Sequence, residues 1–371
     1  MRIWYASSKG YGGGAAVQML ELARSMAGRG HDILALAPAG KGWEARCEAV
    51  SVPFAPVDFK RARAVFTLAG LILRGRPDVI HVQKGRELSL VGLLRPLLLR
   101  CVVVANRGVS FPLSRMRALR YRLVADAVVA VSAAVKEVLV SAGVPASRIH
   151  VIYGSFDEER FRPDGREADV AAVREELNIA SGAPVVVMVA NVYRHKGFDT
   201  LVAAAERVLW KNARVRFICV GGGDREYRSE LKNDIAKRGL SGSITFTGFR
   251  DDVPSFLAAA DLVVSCSPAG SEGLCGAVRE ALAMGRPVVA TDAGGNRELV
   301  REGETGRLIA PGDPEVLAGA VLDLLRDRER AAALGAAGRR FVLGCCTNRQ
   351  RAGEVERLYG SLLAARRGRP Q

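Results

Sequence analysis

The stretch SPAGSEGLCGAVREALAMGRPVVATDAGG, residues 267–295, decides the fold prediction. It reads as a loop of small residues, a helix-like segment, and a strand-like run that ends in another glycine turn. Its two glutamates, Glu272 and Glu280, would lie roughly 80° apart on one continuous helix and so would not share a face. We therefore predict a loop to about Gly276 and a helix from there through Met284.

In this arrangement the backbone N–H groups of Cys275, Gly276 and Ala277 lie at a helix N-terminus and can face an anion. Glu272 in the loop and Glu280 on the helix can reach opposite ends of a long ligand. Such a ligand would carry a diphosphate in the middle and hydroxyls at both ends. A metal site is less favoured, because no histidine or second aspartate clusters locally. A capped surface helix without a ligand stays an alternative.

The alternation of strand-like and helix-like segments runs along the whole chain. The strand-like runs are short and rich in β-branched residues, and they lie at 32–38, 79–83, 101–108, 127–132, 184–197, 214–223, 243–249, 261–267 and 286–295. Strands separated by helices imply right-handed βαβ units and parallel sheets. A chain of 371 residues is long enough for two such units. We therefore predict an α/β protein with two doubly wound, Rossmann-like domains.

The polar, Pro- and Gly-containing segment 154–169 predicts the position of the linker. We expect the N-terminal domain to cover residues 1–158 and the C-terminal domain 159–345. Residues 346–371 are expected to form a helix that packs back toward the N-terminal domain, with a frayed tail at 366–371.

Glycine clusters follow several of the predicted strands, where ligands bind in doubly wound sheets. They lie after the first strand (Gly10 to Gly14, including Gly12 and Gly13), around Gly222, around Glu272, and at Gly294 and Gly295. Their positions favour a ligand cleft between the two domains. The first cluster, GYGGG, matches neither the GxGxxG pattern nor a P-loop, so a flexible turn without a ligand stays open there.

Lys196 precedes Gly197 at the predicted start of a helix and can neutralise a phosphate as a point cation. Arg194 and His195 add further donors beside it. A surface lysine without a ligand is the alternative.

The net charge of +15 and the pI of about 9.9 favour anionic partners. Nucleotides, phosphorylated substrates and an acidic membrane surface fit this charge, whereas no nucleic-acid-binding module is recognisable and nucleic acid is not expected. Neither a signal peptide nor an apolar run that could span a bilayer is visible. The seven scattered cysteines contain no CxxC pair, which disfavours zinc and disulfides. We expect a cytoplasmic protein.

The opening stretch resembles the E-x7-E motif of retaining glycosyltransferases with the GT-B fold, specifically family 4, also described as glycosyltransferase group 1. The resemblance extends along most of the chain. It includes the glycine loop and first helix, DVIHVQ, KGFDTLVAAAERV, FICVGGG and GRPVVATDAGGNRELVREGETGRLIAPGD.

This resemblance implies transfer of a sugar from a nucleotide-diphosphate sugar with retention of configuration, without a metal or another cofactor. Glu272 would hold sugar hydroxyls and orient the donor, Glu280 would hold the ribose, and Lys196 would neutralise the diphosphate. The loop 12–14 would close over donor and acceptor.

Four positions depart from the family pattern. Asn191 stands where an arginine is usual, and Arg194 is a candidate replacement for that cation. Arg107 stands where a histidine usually faces the donor sugar, so it is expected at the donor site. The usual EGFG reads EGLC, in which Cys275 preserves the turn, and the usual PNG of the linker reads YGS.

The segment 115–122 predicts a basic, amphipathic helix in the N-terminal half, which the resemblance implies receives the acceptor. Such a helix can lie on an anionic membrane or grip a lipid-linked or phosphorylated acceptor; a core helix with a solvated basic face is the alternative. The expected function is therefore transfer to a glycan, a lipopolysaccharide core or a lipid-linked acceptor, peripherally at the inner membrane face. A sugar-nucleotide 2-epimerase of the same fold and a non-catalytic nucleotide-sugar-binding subunit are the competing hypotheses.

Overall fold

The computed structural model describes residues 1–368 and contains two parallel β-sheets. The first sheet comprises β1 Arg2–Ala6, β2 Asp32–Ala37, β3 Phe54–Pro56, β4 Val79–Val82, β5 Val102–Arg107, β6 Ala127–Ala130 and β7 Ile149–Val151. Its spatial order is β3-β2-β1-β4-β5-β6-β7.

The second sheet comprises β8 Val185–Val189, β9 Arg216–Val220, β10 Ile244–Gly248, β11 Leu262–Ser265, β12 Val288–Thr291 and β13 Arg307–Ile309. Its order is β10-β9-β8-β11-β12-β13. The chain reverses its direction of travel across the first sheet between β1 and β4, and across the second between β8 and β11. Crevices at the carboxyl ends of strands at such switch points are where doubly wound folds bind ligands.

Helices connect the strands, as the sequence pattern predicts. Those that accompany the first sheet are α1 Gly14–Ala27, α2 Trp43–Ala49, α3 Ala64–Gly75, α4 Gly85–Leu93, α5 Arg115–Val124 and α6 Ala133–Ser141. Those that accompany the second are α7 Glu167–Glu176, α8 Phe198–Lys211, α9 Arg225–Lys237, α10 Val253–Ala259, α11 Gly276–Ala283, α12 Asn296–Leu299, α13 Pro314–Arg326 and α14 Arg328–Cys345. The last helix is α15 Asn348–Arg367. The α/β class with two doubly wound sheets is confirmed.

The chain forms two compact units. Unit 1 consists of Met1–Ser155 together with the residues from Asn348 onward, and unit 2 is Phe156–Thr347. The limits expected from the sequence, 158 and 345, lie a few residues from these. The last three residues of the tail for which fraying was expected lie outside the described chain.

Strand β1 shows how the unit 1 sheet organises its core. Ile3 and Tyr5 belong to one cluster of buried residues, and Trp4 and Ala6 belong to another. Because successive side chains of a strand point to opposite faces, the sheet is covered on both sides. All four residues are at most 2% exposed, which is the pattern of a central parallel strand.

Helix α15 belongs to the unit 1 core although it ends the chain. It packs against α1 and β5, and its residue Tyr359 is fully buried. The Tyr359 hydroxyl lies 2.5 Å from His81 Nδ1 and donates to the hydroxyl of Tyr5 over 3.4 Å. Burial lowers the pKa of His81 to about 3, with the positive charge of Arg351 acting in the same direction.

Candidate functional site

A partly buried ion pair lies at the carboxyl ends of β8 and β11, which flank the switch point of unit 2. Lys196 follows β8, and its Nζ lies 2.5 Å from Oε1 of Glu272 in the loop after β11. The hydroxyl of Ser267 donates to the same Oε1 over 2.6 Å. Burial opposes the charge of the Lys196 ammonium, but the charge and hydrogen bond of Glu272 outweigh it, so the pKa of Lys196 is raised.

Gly197 explains how Lys196 reaches this position. Its φ of +75° lies in the left-handed region, and a Cβ there would stand 1.9 Å from the carbonyl oxygen of Cys266. The backbone after β8 can therefore approach the end of β11 only because residue 197 has no side chain. This approach brings the short 3₁₀ turn Arg194–Lys196 next to the loop that carries Glu272.

Helix α11 begins at Gly276, as predicted, and Cys275 at its N-cap provides no side-chain hydrogen bond to the first turn. The N–H groups of Gly276 and Ala277 have no carbonyl partner within the helix, and the positive end of the helix dipole lies there. Burial and the charge of Glu272 raise the pKa of the Cys275 thiol, whereas Lys196 lowers it. The ion pair therefore lies beside the start of α11.

Glu280 points back toward the first turn of α11. Its Oε1 lies 3.9 Å from the Cβ position of Gly276, and no side chain among residues 1–368 forms a hydrogen bond or ion pair with its carboxylate. Burial raises the pKa of Glu280 to about 7, against the charges of Arg279 and Arg160. A partly buried carboxylate without a partner is a group that a ligand hydroxyl can satisfy.

The glycine cluster after β9 has a packing role. A Cβ on Gly221 would stand 2.1 Å from the carbonyl oxygen of Ala190, and one on Gly223 would stand 2.5 Å from the backbone nitrogen of Val192. Gly222 between them accepts a hydrogen bond from Val192 N–H over 2.6 Å. The cluster joins the loops after β8 and β9, and the close backbone contact leaves no room for a side chain at Gly221 or Gly223.

Asn191 and Arg194 lie on the loop after β8, but the Arg194 side chain contacts α9 and not Lys196. Its guanidinium contacts Oε2 of Glu230 at 2.5 Å and lies 4.6 Å from the ring centre of Tyr227. Arg194 is therefore paired on α9 and does not join Lys196. The half-buried Asn191 keeps its place beside the backbone of Gly221.

In unit 1 the loop of Gly12, Gly13 and Gly14 leads directly into α1. All three residues are exposed, and a Cβ on any of them would meet no atom within 4 Å. Only Gly12, with φ of +148°, needs the freedom of glycine for its own backbone. The first turn of α1 contains no acidic residue, so its N-terminus is open to an anion.

Arg107 ends β5 and is 8% exposed. Its Nη2 donates to the carbonyl oxygen of Phe111 over 2.5 Å, while its Nε has no partner among the described residues. It belongs to unit 1, and Lys196 and Glu272 belong to unit 2.

Sequence reasoning placed Lys196 and Glu272 in separate roles and did not foresee that they pair. It also missed Ser267, although a serine two residues past the end of a buried strand is a usable signal. The pairing itself depends on the backbone contact at Gly197, which only three-dimensional packing shows.

Comparison with known proteins adds the family. Residues 12–160 match the family model "Glycosyltransferase Family 4", and residues 183–327 match "Glycosyl transferases group 1". The chain is 32% identical over 304 residues to the lipopolysaccharide core biosynthesis mannosyltransferase LpsB of Rhizobium meliloti, an alignment that covers 78% of this chain and 81% of LpsB. The chain is a family 4 glycosyltransferase.

This glycosyltransferase is also 34% identical over 224 residues to the GDP-mannose-dependent alpha-(1-6)-phosphatidylinositol monomannoside mannosyltransferase of Mycobacterium tuberculosis. That alignment covers 58% of the chain and spans only 57% of the mycobacterial relative's length. The crystal structure of Anabaena HepE with UDP and glucose superimposes with a TM-score of 0.87, covering 97% of this chain and 100% of HepE. At 23% identity, that likeness shows the GT-B fold.

Within residues 1–368 of the glycosyltransferase, no three His, Cys, Asp or Glu side chains come together as a potential metal site. The Lys196 ammonium and the first amides of α11 are positive groups at the unit 2 switch point, and the charges of Arg279 and Arg160 act on Glu280 of the same helix.

Proposed function

We propose that the enzyme transfers a sugar, with retention of configuration and without a metal ion, from a nucleotide-diphosphate sugar to a glycan, lipopolysaccharide-core or lipid-linked acceptor. The observation that carries the donor assignment is the Lys196–Glu272 pair beside the open N-terminus of α11, with the unpaired Glu280 on the same helix. These groups match a ligand with negative charge in its middle and hydroxyls at both ends.

The leaving diphosphate gains negative charge as the glycosidic bond breaks. In the proposed complex, the amides of Gly276 and Ala277 and the ammonium of Lys196 face this charge and are preorganised, which lowers the barrier. Glu280 accepts hydrogen bonds from the ribose hydroxyls. The pKa of Glu280, about 7, implies that its carboxylate ionises near neutral pH and becomes a better acceptor above it.

Glu272 is proposed to hold hydroxyls of the donor sugar rather than to attack it. Its Oε1 already accepts hydrogen bonds from Lys196 and Ser267. These contacts stabilise the negative charge of the carboxylate and reduce the nucleophilicity of Glu272. A front-face attack, in which the leaving phosphate accepts the proton of the acceptor hydroxyl, gives retention without a protein nucleophile. We propose this route.

The donor experiment incubates the full-length protein with GDP-mannose, UDP-glucose and ADP-glucose, with and without EDTA, in the presence of a lipid-acceptor extract. The expected result is release of the nucleoside diphosphate from one donor, at a rate that EDTA does not change. The product should be α-linked, as NMR can show. Binding without release would favour the non-catalytic hypothesis. Formation of an epimerised nucleotide sugar without acceptor would favour the 2-epimerase.

Matched variants sharpen this test. Glu272→Ala should abolish transfer, and Glu280→Ala should weaken nucleotide binding by about tenfold, because it loses hydrogen bonds to the ribose. Glu329→Ala, an exposed residue on α14, is the control and should behave as wild type. Equal nucleotide affinity of Glu280→Ala and the control would contradict the ribose assignment.

The acceptor side carries a surface that fits an anionic membrane. Between Glu87 and Asp126 the sequence contains seven arginines and no acidic residue. In this segment α4 and α5 contact each other closely, since a Cβ on Gly92 would stand 2.7 Å from Cγ2 of Val124. Their outer sides therefore form one surface.

We call this surface the α4–α5 face. It exposes large apolar side chains and arginines that form no ion pair within residues 1–368; they are Leu93 (69% exposed), Met116 (85%), Leu123 (72%), Arg115, Arg117 and Arg122. Leucines that enter the acyl boundary and arginines that meet anionic headgroups are the two components of peripheral binding. No helix in the described part of the chain has the length and apolar character needed to cross a bilayer.

Vesicle co-sedimentation tests this part of the proposal. Binding should be strong to vesicles with 30% phosphatidylglycerol, weak to pure phosphatidylcholine, and reduced by salt because exposed charges are screened. Met116→Ser/Leu123→Ser should release most of the protein, whereas Trp210→Ser, an equally exposed residue of unit 2, should not. Equal loss in both variants would contradict the α4–α5 face as the membrane surface.

A further inference from the structure

The switch point of the unit 1 sheet brings together five polar side chains that no role described above uses. Lys9 follows β1, Gln83, Lys84 and Glu87 follow β4, and Asn106 lies near the end of β5. We call them the unit 1 polar cluster. β1 and β4 flank the switch point of this sheet, as β8 and β11 do in unit 2, where the ion pair lies.

Glu87 fixes the geometry of the cluster. Its Oε1 accepts a hydrogen bond from the backbone N–H of Ser8, which holds the loop after β1 against the start of α4. Lys9 consequently lies beside Lys84. Burial lowers the pKa of the Lys84 ammonium, the charge of Lys9 lowers it further, and Glu87 opposes both. One carboxylate cannot neutralise two ammonium groups, so positive charge remains at the mouth of the cluster.

The floor of the cluster has polar atoms without partners. Gln83 and Asn106 are each 6% exposed and bond to each other, Asn106 Nδ2 donating to Gln83 Oε1 over 3.2 Å. Gln83 Nε2 and Asn106 Oδ1 have no partner among the described residues, and neither has Oε2 of Glu87. Leaving a buried polar atom unpaired costs about 1–3 kcal/mol. An unpaired donor and an unpaired acceptor on two side chains that bond to each other suit sugar hydroxyls, each of which can accept and donate.

Helix α4 adds a further positive element. It is nine residues long, and Lys84 at its N-cap makes no side-chain hydrogen bond to the first turn. Glu87 is the acidic residue of its first turn and offsets part of the helix dipole, whereas the N–H groups of Gly85 and Arg86 lack intrahelical partners and lie beside Lys84. Amides at a helix N-terminus together with point cations form a phosphate-binding arrangement.

We propose that the unit 1 polar cluster binds a phosphate-bearing sugar, with the phosphate on Lys9, Lys84 and the first amides of α4, and with sugar hydroxyls on Gln83 and Asn106. Glu87 acts as a positioning residue that holds the two lysines together. This inference rests on the proposed function and gives the chemical class of its acceptor, a phosphorylated glycosyl acceptor.

The test measures binding of mannose 6-phosphate to the full-length protein by isothermal titration calorimetry, beside mannose and inorganic phosphate. Mannose 6-phosphate should bind at least tenfold more tightly than either, because only it has both a phosphate for the two lysines and hydroxyls for Gln83 and Asn106. Lys84→Met should weaken it by tenfold or more, and Lys60→Met, an exposed lysine elsewhere in unit 1, should not.

A second variant protects the test against misfolding. Lys9 is exposed, so Lys9→Met should fold normally and still weaken mannose 6-phosphate at least fivefold. The proposal is overturned if neither lysine variant changes the affinity, if no binding is detected, or if inorganic phosphate binds as tightly as mannose 6-phosphate. Displacement of mannose 6-phosphate by UDP or GDP would assign the cluster to the donor and also overturns it.

Two further arms separate related questions. Competition by phosphatidylinositol vesicles that exceeds that of phosphatidylglycerol vesicles would identify a lipid headgroup as the source of the phosphate, whereas competition by neither would identify a soluble sugar phosphate. Nucleotide binding is measured in the same Lys84→Met protein and should equal that of wild type. If wild type does not bind nucleotide, the proposed function is refuted. If wild type binds nucleotide but not mannose 6-phosphate, only this inference is refuted.

Discussion

Glu280 combines a cost for folding with a proposed role in binding. Its folded pKa of about 7 lies above the ordinary value of 4.5 because its carboxyl is buried. The contribution of this group to stability is therefore fully present below about pH 4.5 and is lost as the pH rises through about 7. At pH 8 the carboxylate is ionised and forms no ion pair within residues 1–368, although the charges of Arg279 and Arg160 partly offset the cost of its burial. This arrangement is expected of a residue that binds a ligand.

Replacing the charge should therefore stabilise the free protein and weaken its complex. At pH 8 we expect Glu280→Gln to raise the free energy of unfolding by on the order of 1 kcal/mol and to weaken nucleotide binding. Urea denaturation at pH 8 and pH 5 measures the first effect, which should shrink at pH 5. A variant less stable than wild type at pH 8 would contradict the shifted pKa.

Gly197 should be intolerant of any side chain. In Gly197→Ala the new Cβ would collide with the Cys266 carbonyl and displace Lys196, so both stability and nucleotide binding should fall. Gly239 is the matched control, since its φ of +72° is almost the same and no atom lies within 4 Å of its Cβ position. Gly239→Ala should cost only the left-handed strain of about 1–2 kcal/mol and leave nucleotide affinity unchanged.

The residue scale is also where sequence reasoning was weakest. The loop–helix boundary near Gly276 and the positions of Lys196, Glu272 and Glu280 could be read from the pattern of glycines, charges and strand ends. Their partners could not, because Arg194 pairs with Glu230 and Lys196 pairs with Glu272 across long sequence separations. Such pairs depend on loop packing, which periodicity does not encode.

At the scale of single elements, α15 is anchored through a buried histidine. His81 has a folded pKa of about 3, below the ordinary 6.5, so the unfolded chain takes up a proton that the folded chain excludes. The contribution of His81 to the free energy of unfolding is then fully present above pH 6.5 and is lost as the pH falls toward 3. At pH 5 the loss should be about 2 kcal/mol.

This pH dependence can be assigned by substitution. His81→Gln should lower stability at pH 7, because it disrupts the contact with Tyr359. In a Glu280→Gln background, which removes the opposite pH dependence of Glu280, its stability should change little between pH 7 and pH 5. Tyr359→Phe is the control that keeps the buried imidazole and should keep the pH dependence. Chemical denaturation at both pH values measures the difference, and an unchanged slope in His81→Gln would exclude His81 as its source.

Helices and strands themselves were largely predictable. Strands such as β4 and β5 are short, β-branched and bounded by polar turns, and their fully buried positions follow from covering the sheet on both sides. The glycines after β9 were predictable in position but not in purpose, because a tight backbone contact and a ligand contact leave the same sequence signal.

At the scale of the whole molecule, the two units should respond differently to the donor. The proposed nucleotide groups Lys196, Glu272 and Glu280 all lie in unit 2. A ligand at 100 times its Kd stabilises the fold it binds by about 2.7 kcal/mol. Calorimetry with saturating nucleotide should therefore raise the melting temperature of one transition by several degrees and leave the other nearly unchanged. Equal shifts of both transitions would contradict a nucleotide site confined to unit 2.

The return of α15 to unit 1 has a consequence for synthesis. His81 and Tyr359 are separated by 278 positions, so at roughly 5–20 residues per second the ribosome makes Tyr359 some tens of seconds after His81. Unit 2 is one continuous segment and can fold as it emerges, whereas unit 1 waits with the apolar surface that α15 will cover still in water. The chain is therefore most exposed to misfolding after unit 1 has been synthesised and before α15 has emerged. A ribosome-bound chain that ends before α15 should be the form that chaperones and proteases recognise.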